Sequence, residues 1–139
     1  MPLVLISSNA TSILIPGAFY NPDFFSTFQA QLEKRGFHTI AIALPSIGSD
    51  DPASRSAQKD ADFIHNTAIV PLVDEGKQVV ILIHSYGGVP GSAAARGLGE
   101  EQRSWEGFQG GVVDLIYIRA FLVPAATTPL APMGGIVSA

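Results

Sequence analysis

The sequence predicts an α/β protein built on a doubly wound parallel sheet, and three observations carry that expectation. Four short apolar runs recur, Ser12–Ile15, His38–Ala43, Gln78–Ile83 and Val112–Ile118, each rich in Ile, Val or Leu. Segments with helical spacing lie between them, giving the strand-helix alternation of parallel sheets with right-handed crossovers. The runs are continuous rather than alternating, as befits strands covered on both faces.

The elements follow in order. Residues 1–11 are an uncertain lead-in, in which Pro2–Ile6 is either an extra edge strand or irregular chain. After the first run, Asn21-Pro22-Asp23 opens a helix with Phe24, Phe25, Phe28 and Leu32 at helical spacing, and Gly36 stops it. Aromatic side chains so spaced usually face a core, so Phe24 and Phe25 are expected inside, and only Tyr20 is left as a candidate for lining a ligand pocket. Leu44–Ser56, rich in Ser, Asp and Pro, leaves the carboxyl end of the second strand, where such sheets place ligands. Ala57–Asp74 has Ala61, Ile64, Ala68 and Leu72 near one face and reads as a second helix that Pro71 threatens to shorten. Val89–Leu98 is a third helix of small residues, and 99–110 is a polar loop. The core thus spans 12–124, and 125–139 reads as loop or the start of a lid.

A chain of 139 residues is one domain at most. Hydrophobic residues make up 47% and charged residues only 14%, below the roughly 25% of ordinary soluble domains, so much of this chain expects to be covered. The net charge of -4, with basic residues scattered except at Lys34-Arg35, gives no basic face, and no nucleic-acid partner is expected. The absence of cysteine removes disulfides, thiolate metal sites and thiol redox chemistry. Leu3–Ile6 is too short for a signal-peptide core, and the apolar 115–137 stretch is broken by Arg119, Pro124, Pro129 and Pro132. A soluble, cytoplasmic protein with no membrane partner is expected. The sequon Asn9-Ala10-Thr11 is then an accidental match.

Chemistry is concentrated in Val79-Val80-Ile81-Leu82-Ile83-His84-Ser85-Tyr86-Gly87-Gly88, an apolar strand that runs straight into a serine and two glycines. This is the pattern of a nucleophile elbow, a strained strand-to-helix turn that needs small neighbours. A helix-capping role for Ser85 would leave the double glycine unexplained. Upstream, Ile13-Leu14-Ile15-Pro16-Gly17-Ala18-Phe19-Tyr20 is a strand entering a Pro-Gly turn, which taken alone would be an ordinary strand ending.

Together these segments resemble the N-terminal portion of the α/β-hydrolase family, of the AB hydrolase-1 type, in particular esterase-like and lactonase-like members with a Gly-His-Ser-Tyr-Gly-Gly elbow. Ile83 replaces the first glycine of Gly-x-Ser-x-Gly, a departure expected to alter the turn or its packing. The resemblance implies the partial α/β-hydrolase core, with strands in the spatial order second, first, third, fourth. It makes Ser85 the nucleophile and His84, Gly87 and Gly88 the rest of the elbow. Backbone N–H groups of Ala18 and Tyr86 would form the oxyanion hole, where losing one donor typically costs about 100 to 1,000-fold in turnover.

The other members of a triad are not found by the same reading. His84 is turned away from the adjacent serine, and His38 begins its strand roughly 15 to 20 Å from the elbow at about 3.3 Å per residue. His65 lies two turns into its helix and reads as a solvated histidine. Asp114 is at the wrong strand end, while Asp50 and Asp51 are at the right end without a histidine to orient. In the family the acid and histidine follow later strands, so both are expected to be absent from this polypeptide.

The family reaction is hydrolysis of a carboxylic ester, lactone or related acyl compound through a Ser85 acyl-enzyme, with no cofactor and no metal. One alternative is a non-catalytic chain that at most binds a small ligand, and another is lyase or cofactor-free oxygenase chemistry on the same fold. The outer edge of the fourth strand is expected to be open and to promote self-association.

Overall fold

The structure, a computed structural model, describes residues 9–122. The lead-in Pro2–Ile6 and the 125–139 segment lie outside the described residues. Four strands, β1 (Thr11–Ile15), β2 (His38–Ala41), β3 (Gln78–His84) and β4 (Gly111–Ile118), form one sheet in the order β2-β1-β3-β4, and every pairing is parallel. The order is the one expected.

β1 and β3 make the core because their side chains alternate between two apolar layers. Ile13, Ile15, Val79, Ile81 and Ile83 meet Ile64, Ile69, Val73, Ala94 and Leu98 on one face, while Leu14 and Leu82 meet Phe25 on the other. The outer strands depart from the expectation of two covered faces: Ile40 of β2 and Ile116 and Ile118 of β4 are exposed. Apolar composition marks a strand, but its position in the sheet decides how many neighbours cover it.

The first crossover begins as a 3-10 turn, Pro22–Phe25, capped by Asn21, whose side-chain oxygen accepts from the Asp23 N–H at 3.0 Å. It continues as α1 (Ser26–Glu33), which Gly36 ends at a φ of 84°. Phe25 is buried, but Phe24 and Phe28 are exposed, so half of the expected aromatic core pair lies outside.

The second crossover runs through α2 (Ala57–Phe63), a π-helical segment (Ile64–Ile69) and α3 (Val70–Asp74). Pro71 does not shorten it. Lacking an N–H and crowding the carbonyl four residues back, Pro71 is accommodated by the wider π turn just before it, where the Val70 N–H reaches the carbonyl of His65. The third crossover is α4 (Gly88–Ala94), shorter than the expected 89–98.

The polar 99–110 segment holds a further helix, α5 (Glu100–Trp105). Its signal was the pair Glu100-Glu101 in the first turn, favourable at a helix N-terminus. α5 is tied down by Arg103, which is buried and donates to the carbonyls of Gly110 and Val73 and to Asp74.

Candidate active site

Because the strands are parallel, the ends of β1, β2 and β3 release their loops at one edge of the sheet, and three loops converge there. β3 passes directly into a 3-10 turn, Ser85–Gly87, and then α4. Ser85 has a φ of 51°, a left-handed conformation that costs a non-glycine residue about 1 to 3 kcal/mol. Such strain persists only where the surroundings dictate it, and here three glycines do.

A Cβ on Gly87 would lie 2.7 Å from the Pro16 carbonyl oxygen and 2.8 Å from Ile15 Cγ2, so the elbow is wedged against the end of β1. A Cβ on Gly88 would collide with the Phe121 backbone at 2.0 Å, and the Phe121 N–H donates to the Ser85 carbonyl at 3.0 Å. A Cβ on Gly17 would lie 2.8 Å from Ser85 Cβ and 3.3 Å from Ser85 Oγ, so the Pro16-Gly17-Ala18 turn rests on the serine itself.

Ile83 does not disturb this turn. It is fully buried, and a Cβ on Gly91 would lie 3.2 Å from Ile83 Cδ1. The bulk gained two residues before Ser85 is therefore accommodated by a glycine one turn into α4, a compensation that the elbow motif does not advertise.

Ala18, Phe19 and Tyr86 line a cavity of about 510 Å³ whose remaining wall is the loop after β2, including Ser46, Ile47, Ser49, Pro52 and Arg55, and the first residue of α2. The 44–56 loop thus borders the pocket, as its place after β2 suggests. A larger cavity, about 940 Å³, opens at the opposite end of the strands beside Glu33, His38 and Lys77, remote from Ser85. Among the described residues no three His, Asp or Glu side chains converge to hold a metal ion.

The histidines take three different places. His38 stands at the amino end of β2. His65 is not solvated: it is partly buried, and its Nδ1–H donates to the Ala94 carbonyl at 2.8 Å, tying the π segment to the far end of α4. His84 lies under an aromatic shelf, stacked on Phe24 at 5.0 Å and edge-on to Tyr20 at 6.1 Å. Its Nδ1 is buried with no hydrogen-bond partner among the described residues. Phe24 is therefore a site-edge residue rather than a core one. Asp114 is exposed within β4, paired in register with Val80, and Asp50 and Asp51 are exposed in the pocket loop.

One residue outside both motifs is tied to this site. Asp60 of α2 is 0% exposed, and its carboxylate accepts from the Ser46 N–H at 3.0 Å, the Ser46 hydroxyl at 2.6 Å and the Tyr86 hydroxyl at 3.0 Å. Burial first, then the charge and hydrogen bond of Asp60, push the Tyr86 phenol well above its ordinary range, so it stays a neutral donor. The signal was available: Asp60 shares the apolar stripe of Ile64 and Ala68, four and eight residues on.

Comparison with known proteins agrees with this architecture. A sequence model described as the alpha/beta hydrolase family matches residues 13–138. The chain is 32% identical over 112 residues to the alpha/beta hydrolase nvfD of Aspergillus novofumigatus, covering 81% of this chain and 43% of that protein. It is 29% identical over 124 residues to the probable hydrolase R7 of a Phoma species, covering 88% and 47%. It therefore spans less than half the length of these relatives. A crystal structure of a polyneuridine aldehyde esterase mutant superposes with a TM-score of 0.62 at 14% identity, over 90% of this chain and 46% of that one, which is a likeness of fold. The chain belongs to the alpha/beta hydrolase family.

Proposed function

We propose that this chain carries the nucleophile and the oxyanion hole of a serine hydrolase acting on a carboxylic ester or related acyl compound. The observation that carries the reading is the left-handed Ser85, clamped between β1 and α4 with the Gly17 turn in contact with its side chain. In the proposed reaction Ser85 Oγ attacks the acyl carbonyl carbon and its proton passes to a base. The N–H groups of Ala18 and Tyr86 stabilise the oxygen that becomes negative, and the alcohol leaves to give an acyl-enzyme, which water resolves. The acyl group sits in the cavity beside Ala18 and Tyr86.

The described residues supply half of this machinery. His38 is at the wrong end, His65 is engaged with Ala94, and His84 packs under Phe24, so none stands as base to Ser85. A base and its orienting acid are needed from outside the described residues, because a serine hydroxyl is a weak nucleophile until its proton is removed. The test is a chimera in which this chain is continued by the C-terminal half of a relative, assayed on p-nitrophenyl butyrate. Turnover should fall by several orders of magnitude, about a millionfold in a hydrolase of another fold, in Ser85→Ala. Turnover that survives Ser85→Ala overturns the proposal.

A further inference from the structure

The Asp60 cluster is unusual for its charge balance. A buried carboxylate is normally paired with a cation, yet Asp60 has no ion pair among the described residues. All three of its donors are neutral, and they come from two loops at the candidate site: Ser46 from the wall of the cavity, and Tyr86 from the elbow. Replacing such a carboxylate with an apolar residue would relieve a desolvation cost, so its presence points to a task other than stability.

We propose that Asp60 is a positioning residue for the oxyanion hole, holding Tyr86 by its hydroxyl so that the backbone N–H after Ser85 stays aimed at the reacting oxygen. The inference rests on the oxyanion-hole reading above. Tyr86 occupies the turn whose strain must be maintained, and a side chain anchored at its tip cannot rotate without moving the backbone or breaking the bond. The anchor does not yield, because Asp60 sits on α2, is fully buried and has donors on both carboxylate oxygens. The same carboxylate fixes Ser46, so the pocket wall and the N–H donor are set against one reference point. Small displacements of such donors matter, because their effect depends on standing about 2.7 to 3.1 Å from the developing oxyanion.

The test uses the 139-residue chain itself, ¹⁵N-labelled, with sodium butyrate as a carboxylate probe of the two N–H donors. In the wild type, butyrate should shift the Ala18 and Tyr86 amide resonances together. In Tyr86→Phe and Asp60→Asn the butyrate Kd for those two amides should rise about tenfold or more, the scale of one charge-assisted hydrogen bond misaligned. Arg103→Ala, which loosens the fold at α5 and touches neither the cavity nor the Asp60 cluster, should keep the wild-type response; a general loosening of the fold would instead weaken it as much as Tyr86→Phe does. If Asp60→Asn does not fold, Tyr86→Phe decides alone. An absence of Ala18 and Tyr86 shifts in the wild type overturns the oxyanion-hole reading and this inference with it. Equal Kd values in wild type and Tyr86→Phe overturn the inference alone, as does an Arg103→Ala response as weak as that of Tyr86→Phe.

Discussion

Gly87→Ala tests the wedge that holds the elbow. A methyl at this position would sit 2.7 Å from the Pro16 carbonyl oxygen, 2.8 Å from Ile15 Cγ2 and 3.1 Å from the Ile15 carbonyl oxygen, whereas ordinary contacts begin near 3.4 Å. The neighbours would have to retreat by about 0.3 to 0.7 Å, and two of the three atoms are backbone at the end of a fully buried strand. Overfilling a close-packed site of this kind costs about 1 to 3 kcal/mol. Gly87 is not at positive φ, so alanine returns roughly 0.5 to 1 kcal/mol of backbone entropy. The net expectation is a loss centred on about 1 kcal/mol and no larger than about 2.5 kcal/mol, read as a lower urea midpoint at unchanged m-value. Gly36→Ala provides a contrast, because it meets nothing within 4 Å and its cost would come from a φ of 84° alone. A Gly87→Ala chain as stable as the wild type would refute the wedge.

Four further outcomes follow from the same structure. The 139-residue chain by itself should show no rapid Ser85-dependent hydrolysis of p-nitrophenyl butyrate; rapid turnover abolished by Ser85→Ala would contradict this, and its loss in His65→Ala would identify the base. The raised Tyr86 phenol stabilises the native state fully below the unfolded value of 10.0, and that contribution fades as pH climbs beyond it. Urea stability above pH 10.0 should therefore fall less steeply, by up to one proton, in Tyr86→Phe than in wild type. Arg103→Ala should cost about 1 to 3 kcal/mol, because it takes the donor from the Gly110 carbonyl and leaves the Val73 carbonyl with the Gly76 N–H alone, and a loss below 1 kcal/mol by denaturant titration would disprove the clamp. The exposed Ile116 and Ile118 on β4 should drive self-association at tens of micromolar, reduced in Ile116→Lys; a monodisperse wild-type monomer by light scattering would count against it.

The legible parts of this molecule were those encoded locally. β3 and its elbow are contiguous in sequence, so a buried run ending in His84-Ser85-Tyr86-Gly87-Gly88 announces both strand and turn. The parallel sheet followed from the strand-helix rhythm, and the strand order from the resemblance to the α/β-hydrolase family. The misses came from contacts between distant segments. Phe24 and Phe25 look equivalent in sequence, but only Phe25 points to the sheet, while Phe24 covers His84, a residue sixty positions away. The partnership of Asp60 with Ser46 and Tyr86 spans three elements, and Gly91 matters only because Ile83 packs beside it. Pro71 threatened to shorten its helix because propensity does not foresee a π turn that absorbs it.

In the proposed reaction Ser85 forms the covalent bond to the acyl group. That bond is tested most directly by incubating the chimera with p-nitrophenyl butyrate, quenching in acid during turnover, and mapping the butyryl mass increment by peptide mass spectrometry. The increment is expected on Ser85 alone, with none in Ser85→Ala. Turnover with the acyl group on another residue, or with no acyl-enzyme and an unaffected Ser85→Ala chain, would contradict it.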